Sequence, residues 1–342
     1  MLSFEPLRCR LSGMGSDMQR REFITLLGGA AVAWPLPVRA QQPAMPVVGF
    51  LNSASPGPYP PVSAFLKGLN ERGFVEGRNL VIEYRWAEGH YERLPALIAD
   101  LVQRKVSVIV ATSTPAAVAA KAANTTIPVV FTTSGDPVQL GLVSSLSKPG
   151  GNFTGATQLN VEVSAKRLEL MHEALPTATN FALLVNPPGP NTKAESGDDS
   201  AAAAALGLTL HVLRASSEQD LATVFESLSE LKTQALVIGS DPFFSRYIED
   251  IAALALRYRV PAIYQYAEFT TAGGLMSYGG NVAESYLIAG VYVGRILNGE
   301  KPANLPVQQV TKVELIVNLK TAKALGITVP SQIVARADDV IE

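Results

Sequence analysis

The sequence is poor in the residues that carry most covalent and acid–base catalysis. Among 342 residues it has one cysteine, Cys9, and three histidines. A single cysteine excludes an intrachain disulfide. His172 falls within a predicted helix, His211 within a predicted strand and His90 in a loop or at a helix start. Such positions are more typical of structural histidines than of catalytic ones, so the sequence offers no convincing nucleophile–base pair.

The common nucleotide, zinc and hydrolase motifs are also missing. The chain has no G-x-G-x-x-G after a strand, no G-x-x-x-x-G-K-[ST], no H-E-x-x-H and no G-x-S-x-G. The carboxylate pairs Asp198-Asp199 and Asp338-Asp339 are adjacent in sequence, so their side chains point apart in any regular element and indicate a solvated surface. We expect no enzyme, no cofactor and no metal, although an enzyme with two α/β domains stays an alternative.

Charge is sparse and nearly balanced. Charged residues make up 17% of the chain, and 28 Lys and Arg against 30 Asp and Glu give a net charge of −2. No basic face indicates a nucleic acid partner, and no cationic amphipathic stretch indicates a membrane surface. With 47% apolar residues, a chain of this length can bury a large core and is expected to form two domains.

The first 40 residues have the pattern of an export signal. Arg20-Arg21 precede an apolar run that ends at Trp34, and small residues lead to a cleavage site between Ala40 and Gln41. The run is shorter than the roughly 20 residues that span a bilayer, so we expect no membrane anchor. The arginine pair favours twin-arginine export, with the general secretory route left open. Residues 1–17 would then be an extension upstream of the true start, Met18.

The rest of the chain repeats an alternation of strands and helices. VGFLN at 48–52 corresponds to ALLVN at 182–186, and VIVATSTP at 108–115 corresponds to LVIGSDP at 236–242. Helical spacing of apolar residues follows most of these strands, and one such helix is expected to start at Asp136-Pro137. The repeat predicts an α/β fold with two similar Rossmann-like lobes, each a parallel sheet with right-handed crossovers.

The last part of the chain is too short for a third lobe. A glycine-rich crossing at 273–281 leads to a helix over 282–297 and a strand-like segment over 307–318. These elements should complete the two lobes, which predicts a multi-strand hinge. The N-terminal lobe would comprise 45–158 plus 282–312, and the C-terminal lobe 159–281 plus 313–342.

Neutral polar groups and isolated carboxylates follow the predicted strands. The helix starts after Thr114 and near Asn191 suit an anion, Asp136 or Asp241 suits an ammonium group, and tyrosines suit a flat or apolar body. Each residue alone is also an ordinary cap or turn former, but together they predict a cleft that binds a small molecule without reacting. The candidate ligand-binding residues are Ser53, Thr112, Ser113, Thr114, Gly135, Asp136, Asn186, Asn191, Asp241, Tyr264 and Tyr278.

Several short motifs, taken together, resemble one known family. They include ATST at 111–114, GDPV at 135–138, PGGNFTG at 149–155, GLMSYG at 274–279 and NLKTA at 318–322. With them, nearly the whole chain after residue 40 resembles the solute-binding proteins of ABC importers, specifically the family that includes tryptophan- and tyrosine-binding members.

The resemblance implies a type I periplasmic binding fold that closes on a small solute. Such a protein is a periplasmic monomer that hands its solute, here an amino acid or related small organic molecule, to a membrane permease driven by an ATPase. The resemblance also implies ligand contacts at Ser53, at Thr112 to Thr114 and at Asp136. The chain departs from the family pattern in the proline-rich loop from Asn186 to Asn191.

Regulators and receptors that share this fold are expected to carry additional segments. A regulator should carry a DNA-binding helix pair where this chain has its export signal, and a receptor should carry a membrane span near its C-terminus. A periplasmic ligand-sensing protein that works with a separate partner stays an alternative.

Overall fold

The computed structural model describes residues 45–57 and 61–342. Within that part of the chain, the strands are β1 Val47–Asn52, β2 Val81–Trp86, β3 Val108–Ala111, β4 Val129–Thr133, β5 Phe153–Thr157, β6 Asn180–Val185, β7 Thr209–Arg214, β8 Ala235–Ile238, β9 Ala262–Tyr264, β10 Met276–Gly280, β11 Gln308–Gln309, β12 Val313–Asn318 and β13 Asp339–Ile341. The predicted export signal lies outside the described residues.

The helices that cover these strands follow the same alternation. They are α1 Val62–Asn70, α2 Leu94–Gln103, α3 Thr114–Ala122, α4 Ser164–Ala174, α5 Thr192–Ala205, α6 Glu218–Glu230, α7 Pro242–Arg246, α8 Ile248–Arg257, α9 Ala267–Thr271, α10 Val282–Leu297, α11 Leu319–Leu325 and α12 Ser331–Arg336, with 3-10 turns at Tyr91–Arg93 and Pro302–Asn304. No helix in the described part of the chain is long and apolar enough to cross a membrane.

The strands form two sheets with the same winding. The first sheet has the order β11-β5-β4-β3-β1-β2, and the second has the order β13-β12-β10-β9-β8-β6-β7. All neighbours run parallel except β10 and β12. The run β2-β1-β3-β4-β5 and the run β7-β6-β8-β9-β10 are both the doubly wound order 2-1-3-4-5. The predicted pair of Rossmann-like halves with parallel sheets is confirmed.

The central strands are apolar along almost their whole length because helices cover both faces of each sheet. In β3 every residue is buried, and in β1 all residues after Val47 are buried. Continuous apolar runs of this kind are typical of parallel sheets. Burial of such side chains contributes roughly 25 cal/mol to the free energy of folding for each Å² of apolar surface removed from water. This packing holds the strand ends in place.

The chain passes between the two sheets three times. The passages lie between β5 and α4, between β10 and α10, and between β11 and β12. After the second passage, α10 packs closely on α1 of the first half. A Cβ added to Gly290 would lie 2.1 Å from the Phe65 carbonyl oxygen, so glycine is required at this helix contact. The three passages confirm the predicted multi-strand hinge.

One predicted helix is replaced by turns. The segment after Asp136 forms turns rather than a helix, with hydrogen bonds from Leu140 N to Asp136 O and from Leu142 N to Pro137 O. Gly141 has a φ of +69°, outside the right-handed helical region, and this ends the helical course after one turn. The predicted strand over 307–318 is likewise divided between the two sheets, because the third passage occupies residues 310–312.

Candidate functional site

The strand ends of the two sheets meet at one cleft. In the first sheet β1 lies between β2 and β3, and in the second β6 lies between β7 and β8, so chain order reverses at β1/β3 and at β6/β8. In doubly wound sheets, ligands bind at the carboxyl ends of the strands where this reversal opens a crevice. Asn52 and Thr112 lie at the first reversal, and Asn186 and Ser240 lie at the second.

The cleft is narrow and lined from both sheets. The cavity that remains between the walls has a volume of only about 30 Å³. The lining residues are Asn52, Ala54, Thr112, Ser113, Thr114, Thr132, Thr133, Ser134, Gln158, Ser240, Pro242, Ser245, Gln265, Tyr266, Val282 and Tyr286. None of these described residues has a charged side chain.

Neutral hydrogen bonds fix the wall contributed by the first sheet. The Asn52 side-chain amide donates to the Thr112 carbonyl at 2.9 Å and to its hydroxyl at 2.8 Å. The Tyr286 hydroxyl, from α10, donates to the same carbonyl at 2.8 Å. Burial raises the pKa of Tyr286, so the phenol stays protonated. The tips of β1 and β3 are thereby joined to the helix that follows the second passage.

Hydroxyl groups continue this wall to the start of α3. Ser113 is the N-cap of α3, where its Oγ accepts from Ala116 N at 3.3 Å, and it also accepts from the Ser53 hydroxyl at 2.9 Å. The Thr114 and Ser134 hydroxyls lie 3.2 Å apart. A capping serine followed by proline at 115 is the local reason that α3 begins here.

Asp241 organises the wall contributed by the second sheet. It caps α7, with Oδ1 accepting from Phe243 N at 2.9 Å, and Oδ1 also accepts from Asn186 Nδ2 at 2.8 Å and from the Tyr91 hydroxyl at 2.5 Å. Burial raises the pKa of Asp241, and these three hydrogen bonds oppose that effect. Burial, followed by the negative charge of Asp241, raises the pKa of Tyr91.

Protein groups join the two walls directly. Tyr91 belongs to the half built on the first sheet, so its hydrogen bond to Asp241 crosses the cleft. The Asn191 side-chain amide, at the start of α5, donates to the Ser134 hydroxyl at 2.9 Å. Arg246 Nη1 donates to the Glu88 carbonyl at 3.1 Å. These contacts explain why so little space remains between the walls.

A buried ion pair lies behind the tip of β8. Arg167 Nη2 is 3.0 Å from Glu195 Oε1, and the two side chains are 0% and 3% exposed. Ser240 connects the pair to the cleft, since its backbone N–H donates to both Glu195 oxygens at 2.9 Å and its hydroxyl accepts from Arg167 at 3.0 Å. Arg167 also donates to the Asn160 carbonyl in the first passage at 2.9 Å. The ion pair therefore ties the hinge to the cleft.

A second buried carboxylate lies near this pair. Asp199 Oδ2 accepts from the Ser164 hydroxyl at 2.7 Å. Its Oδ1 has no hydrogen-bond partner among the described residues. Burial raises the pKa of Asp199 to about 6, although the hydrogen bond from Ser164 and the charge of Arg167 act in the opposite direction. The predicted solvated surface at Asp198-Asp199 is thus wrong for Asp199, which α5 turns inward.

The predicted site residues divide into three groups. Thr112, Ser113 and Thr114 line the cleft. Six more lie directly behind the lining or at its edge, where they are buried: Ser53, Gly135, Asn186, Asn191, Asp241 and Tyr264.

The remaining two predicted site residues, Asp136 and Tyr278, are neither in the cleft lining nor fully buried beside it. Asp136 is partly exposed, and its carboxylate accepts from Val138 N at 2.7 Å within its own turn. Tyr278 is partly buried against the apolar core on the other face of the second sheet. Both positions depend on the direction of a side chain, which spacing alone does not give.

Several lining residues were missed from the sequence. Gln265 directly follows Tyr264 at the end of β9, so the rule that selected the other tip residues also covered it. Tyr286 and Gln158 could not be found by this rule. Tyr286 lies on an apolar helix, and Gln158 lies in a passage between the sheets. Among the described residues, no group of acidic, histidine or cysteine side chains could hold a metal ion.

The chain matches the family model described as ABC transporter substrate binding protein over residues 48–341. It belongs to this family. A curated relative, the tyrosine-binding protein of Clostridioides difficile strain R20291, is 29% identical over 266 residues, covering 76% of this chain and 75% of that protein. The family resemblance stated from the motifs is confirmed.

Solved structures of other proteins share this fold. A conserved domain protein from Vibrio cholerae has a TM-score of 0.78 at 27% identity, covering 86% of this chain and 99% of that one. A protein from Streptococcus pneumonia in complex with L-Trp has a TM-score of 0.76 at 23% identity with the same coverage. The ligand-free, open structure of a substrate-binding protein with adhesive properties from Clostridium difficile has a TM-score of 0.60 at 26% identity, again with 86% and 99% coverage.

Proposed function

We propose that this protein is the periplasmic solute-binding component of an ABC importer. It would be exported with removal of the signal near Ala40, would act as a monomer without a membrane anchor, and would deliver its solute to a permease and its ATPase. The observation that carries the proposal is the cleft at the two strand reversals, lined by polar groups from both sheets. Such a site holds a small molecule by hydrogen bonds and has no reactive pair to transform it.

The solute class of the proposal is an amino acid or a related small organic molecule. The named relatives support it, since one is called a tyrosine-binding protein and one fold neighbour holds L-Trp. The cleft walls of this chain add hydroxyl, amide and tyrosine groups, which suit a small polar solute with a flat or apolar part.

Binding would work by closure of two lobes around the solute. The lobes would be 45–158 plus 282–312 and 159–281 plus 313–342, which move about the three passages. A solute that contacts both walls has higher affinity for the closed arrangement and shifts the population toward it. The higher TM-score with the L-Trp complex than with the ligand-free open structure supports the view that the described arrangement is the closed one.

The experiment is a thermal-shift screen of the purified chain against amino acids, purines, sugars and aromatic acids. A solute at 100 times its dissociation constant should add about 2.7 kcal/mol to the free energy of unfolding. Small-angle X-ray scattering with and without the best solute should then show a smaller radius of gyration in its presence. A chain that binds no member of a broad library, or that converts a member to product, would contradict the proposed function.

A further inference from the structure

We propose that Gln158 is a positioning residue for closure, because its side-chain amide joins the two halves of the chain across the hinge. The inference rests on the proposed function and names the contact that sets its closing equilibrium. It follows from the partners of the amide, from the contact between the first two passages and from a strained turn beside Gln158. The consequence is a solute affinity that depends on hinge residues outside the cleft lining.

The Gln158 amide bonds to both halves at once. Its Nε2 donates to the Ser285 hydroxyl at 2.8 Å, and Ser285 lies on α10, the helix that packs on α1 of the first half. Its Oε1 accepts from Asn160 Nδ2 at 3.3 Å and from the hydroxyl of Tyr266, which follows β9 of the second sheet, at 3.4 Å. Gln158 and Ser285 are both buried, so water does not compete for these bonds. One buried side chain therefore links the two halves.

The first two passages are bound to each other. Asn160 Oδ1, in the first passage, accepts from Gly280 N, at the end of β10, at 2.7 Å. A Cβ added to Gly280 would lie 2.5 Å from the Gln158 carbonyl oxygen, closer than real Cβ atoms approach. Because the two backbones touch, a rotation of one half about the hinge has to move both passages together, and with them the partners of the Gln158 amide.

A strained turn fixes the position of Gln158. The next residue, Leu159, has a φ of +56°, a left-handed conformation that is unfavourable for leucine. Two backbone hydrogen bonds hold the turn against the end of β4, from Gln158 N to Thr133 O and from Val161 N to Ser134 O, both at 2.9 Å. Strained backbone persists only where the surrounding contacts fix it. Thr133 and Ser134 line the cleft, so the turn joins the hinge to the cleft wall.

This link favours closure because the open arrangement cannot keep it. When the walls separate, Tyr266 moves with the second sheet and away from Ser285, so the amide retains partners on one side only. An interaction made only in the closed arrangement raises the closed population, and the apparent dissociation constant falls as that population rises. The link does not involve the solute, so its loss should weaken the binding of every solute by the same factor.

Ser285→Ala tests the link without touching the cleft, because Ser285 is not among the described residues that line it. The probes are L-tyrosine, L-tryptophan and every further compound of the thermal-shift screen that stabilises the chain. We expect titration calorimetry to show about fivefold weaker binding for each of them, which corresponds to about 1 kcal/mol. Stopped-flow kinetics should show a faster dissociation rate and an unchanged association rate.

Ser227→Ala is the matched control. Both serines lie in helices and donate to the carbonyl three residues earlier, Ser285 to Val282 at 2.8 Å and Ser227 to Val224 at 2.7 Å. Ser227 lies on α6, outside the three passages and the cleft lining. The control should leave the affinity and the dissociation rate unchanged. Any general effect of removing a helical hydroxyl is thereby separated from loss of the link.

Gln158→Met removes both ends of the link and provides a second test. Gln158 lines the cleft, so this variant also loses any contact that the side chain makes to a solute. A double variant with Ser285→Ala separates the two effects. If Ser285 acts through Gln158, adding Ser285→Ala to Gln158→Met should weaken binding by less than about 1.5-fold, against about fivefold in the unsubstituted chain.

Three results would overturn the inference. Unchanged affinity in folded Ser285→Ala, or equal weakening by Ser227→Ala, would reject the link while binding of the probes to the unsubstituted chain left the proposed function in place. Additive losses in the double variant, or losses that differ between probes, would show that Ser285 does not act through Gln158 and closure. Absence of binding by every probe to the unsubstituted chain would contradict the proposed function, and the inference would fall with it.

Discussion

The wall that the first sheet contributes to the cleft is held by neutral hydrogen bonds, whereas the wall of the second sheet is supported by buried charges. Asn52, Thr112 and Tyr286 form the neutral set, and Arg167, Glu195 and Asp199 form the charged set. The halves share one strand order, so the fold does not dictate this difference. Equivalent strand ends in a repeated fold can therefore be held by neutral hydrogen bonds in one half and by buried charged side chains in the other. The residues that face the cleft are uncharged in both halves.

The largest loss of stability is expected on substitution of Arg167, in the charged wall. Arg167→Met leaves the Glu195 carboxylate buried without its partner, and we expect a loss of about 3–5 kcal/mol in the free energy of unfolding. Urea denaturation measures it. The control is Arg295→Met, which removes an exposed ion pair to Glu300 and should cost no more than about 1 kcal/mol. Equal losses in the two variants would show that the buried pair is not the support of this wall.

The pH dependence of stability should come from the charged wall. The pKa of Asp199 is about 6 in the folded chain against an ordinary value of 3.8, so between these values the folded state binds more protons than the unfolded state. Stability should therefore fall as pH rises from about 4 to 6, by about 1–3 kcal/mol from this group.

Asp199→Asn isolates this contribution. The amide keeps an oxygen for the Ser164 hydroxyl but does not titrate, so the variant should show a flatter curve of unfolding free energy against pH over the same range. Asp250→Asn, at an exposed position of α8, is the control and should keep the slope of the unsubstituted chain. A slope unaltered by Asp199→Asn would assign the pH dependence to another group.

Substitutions in the neutral wall should lower the free energy of unfolding by less than substitutions in the charged wall. Tyr286→Phe removes one hydroxyl from the set around Thr112, whose carbonyl still accepts from Asn52, so we expect a loss of about 0.5–1.5 kcal/mol. Thermal unfolding checks this value against Tyr258→Phe, a partly buried ring that packs on Phe225 and should change stability by less than about 0.5 kcal/mol. A loss as large as that of Arg167→Met would erase the distinction between the walls.

The smallest effect is expected at Asp136. Its carboxylate is partly exposed and accepts one local hydrogen bond, so Asp136→Ala should cost about 0.5–1 kcal/mol. Because the side chain does not line the cleft, solute affinity should change by less than about threefold, or 0.6 kcal/mol. Calorimetry with the best solute from the screen measures this. A much larger loss of affinity would restore the ligand contact that the family motif implies at this position.

Some of the site could be predicted because it depends on local chemistry. Ser113 before Thr114-Pro115 and Asp241 before Pro242 are capping sequences, and each begins a helix at a strand end. Parallel strands bring such ends to one edge, so a polar cleft followed from the repeat alone. The exception was Asp136-Pro137, where the same capping signal is followed by turns.

The sequence by itself determined the repeated strand and helix pattern, the polar tips and the family, because these depend on neighbouring residues and on short motifs. Only the tertiary structure decided which groups meet across distance. It brought Tyr91 to Asp241, Tyr286 to Thr112 and Arg167 to Glu195. Contacts between residues far apart in the chain depend on packing and side-chain direction, and neither is encoded in the local pattern.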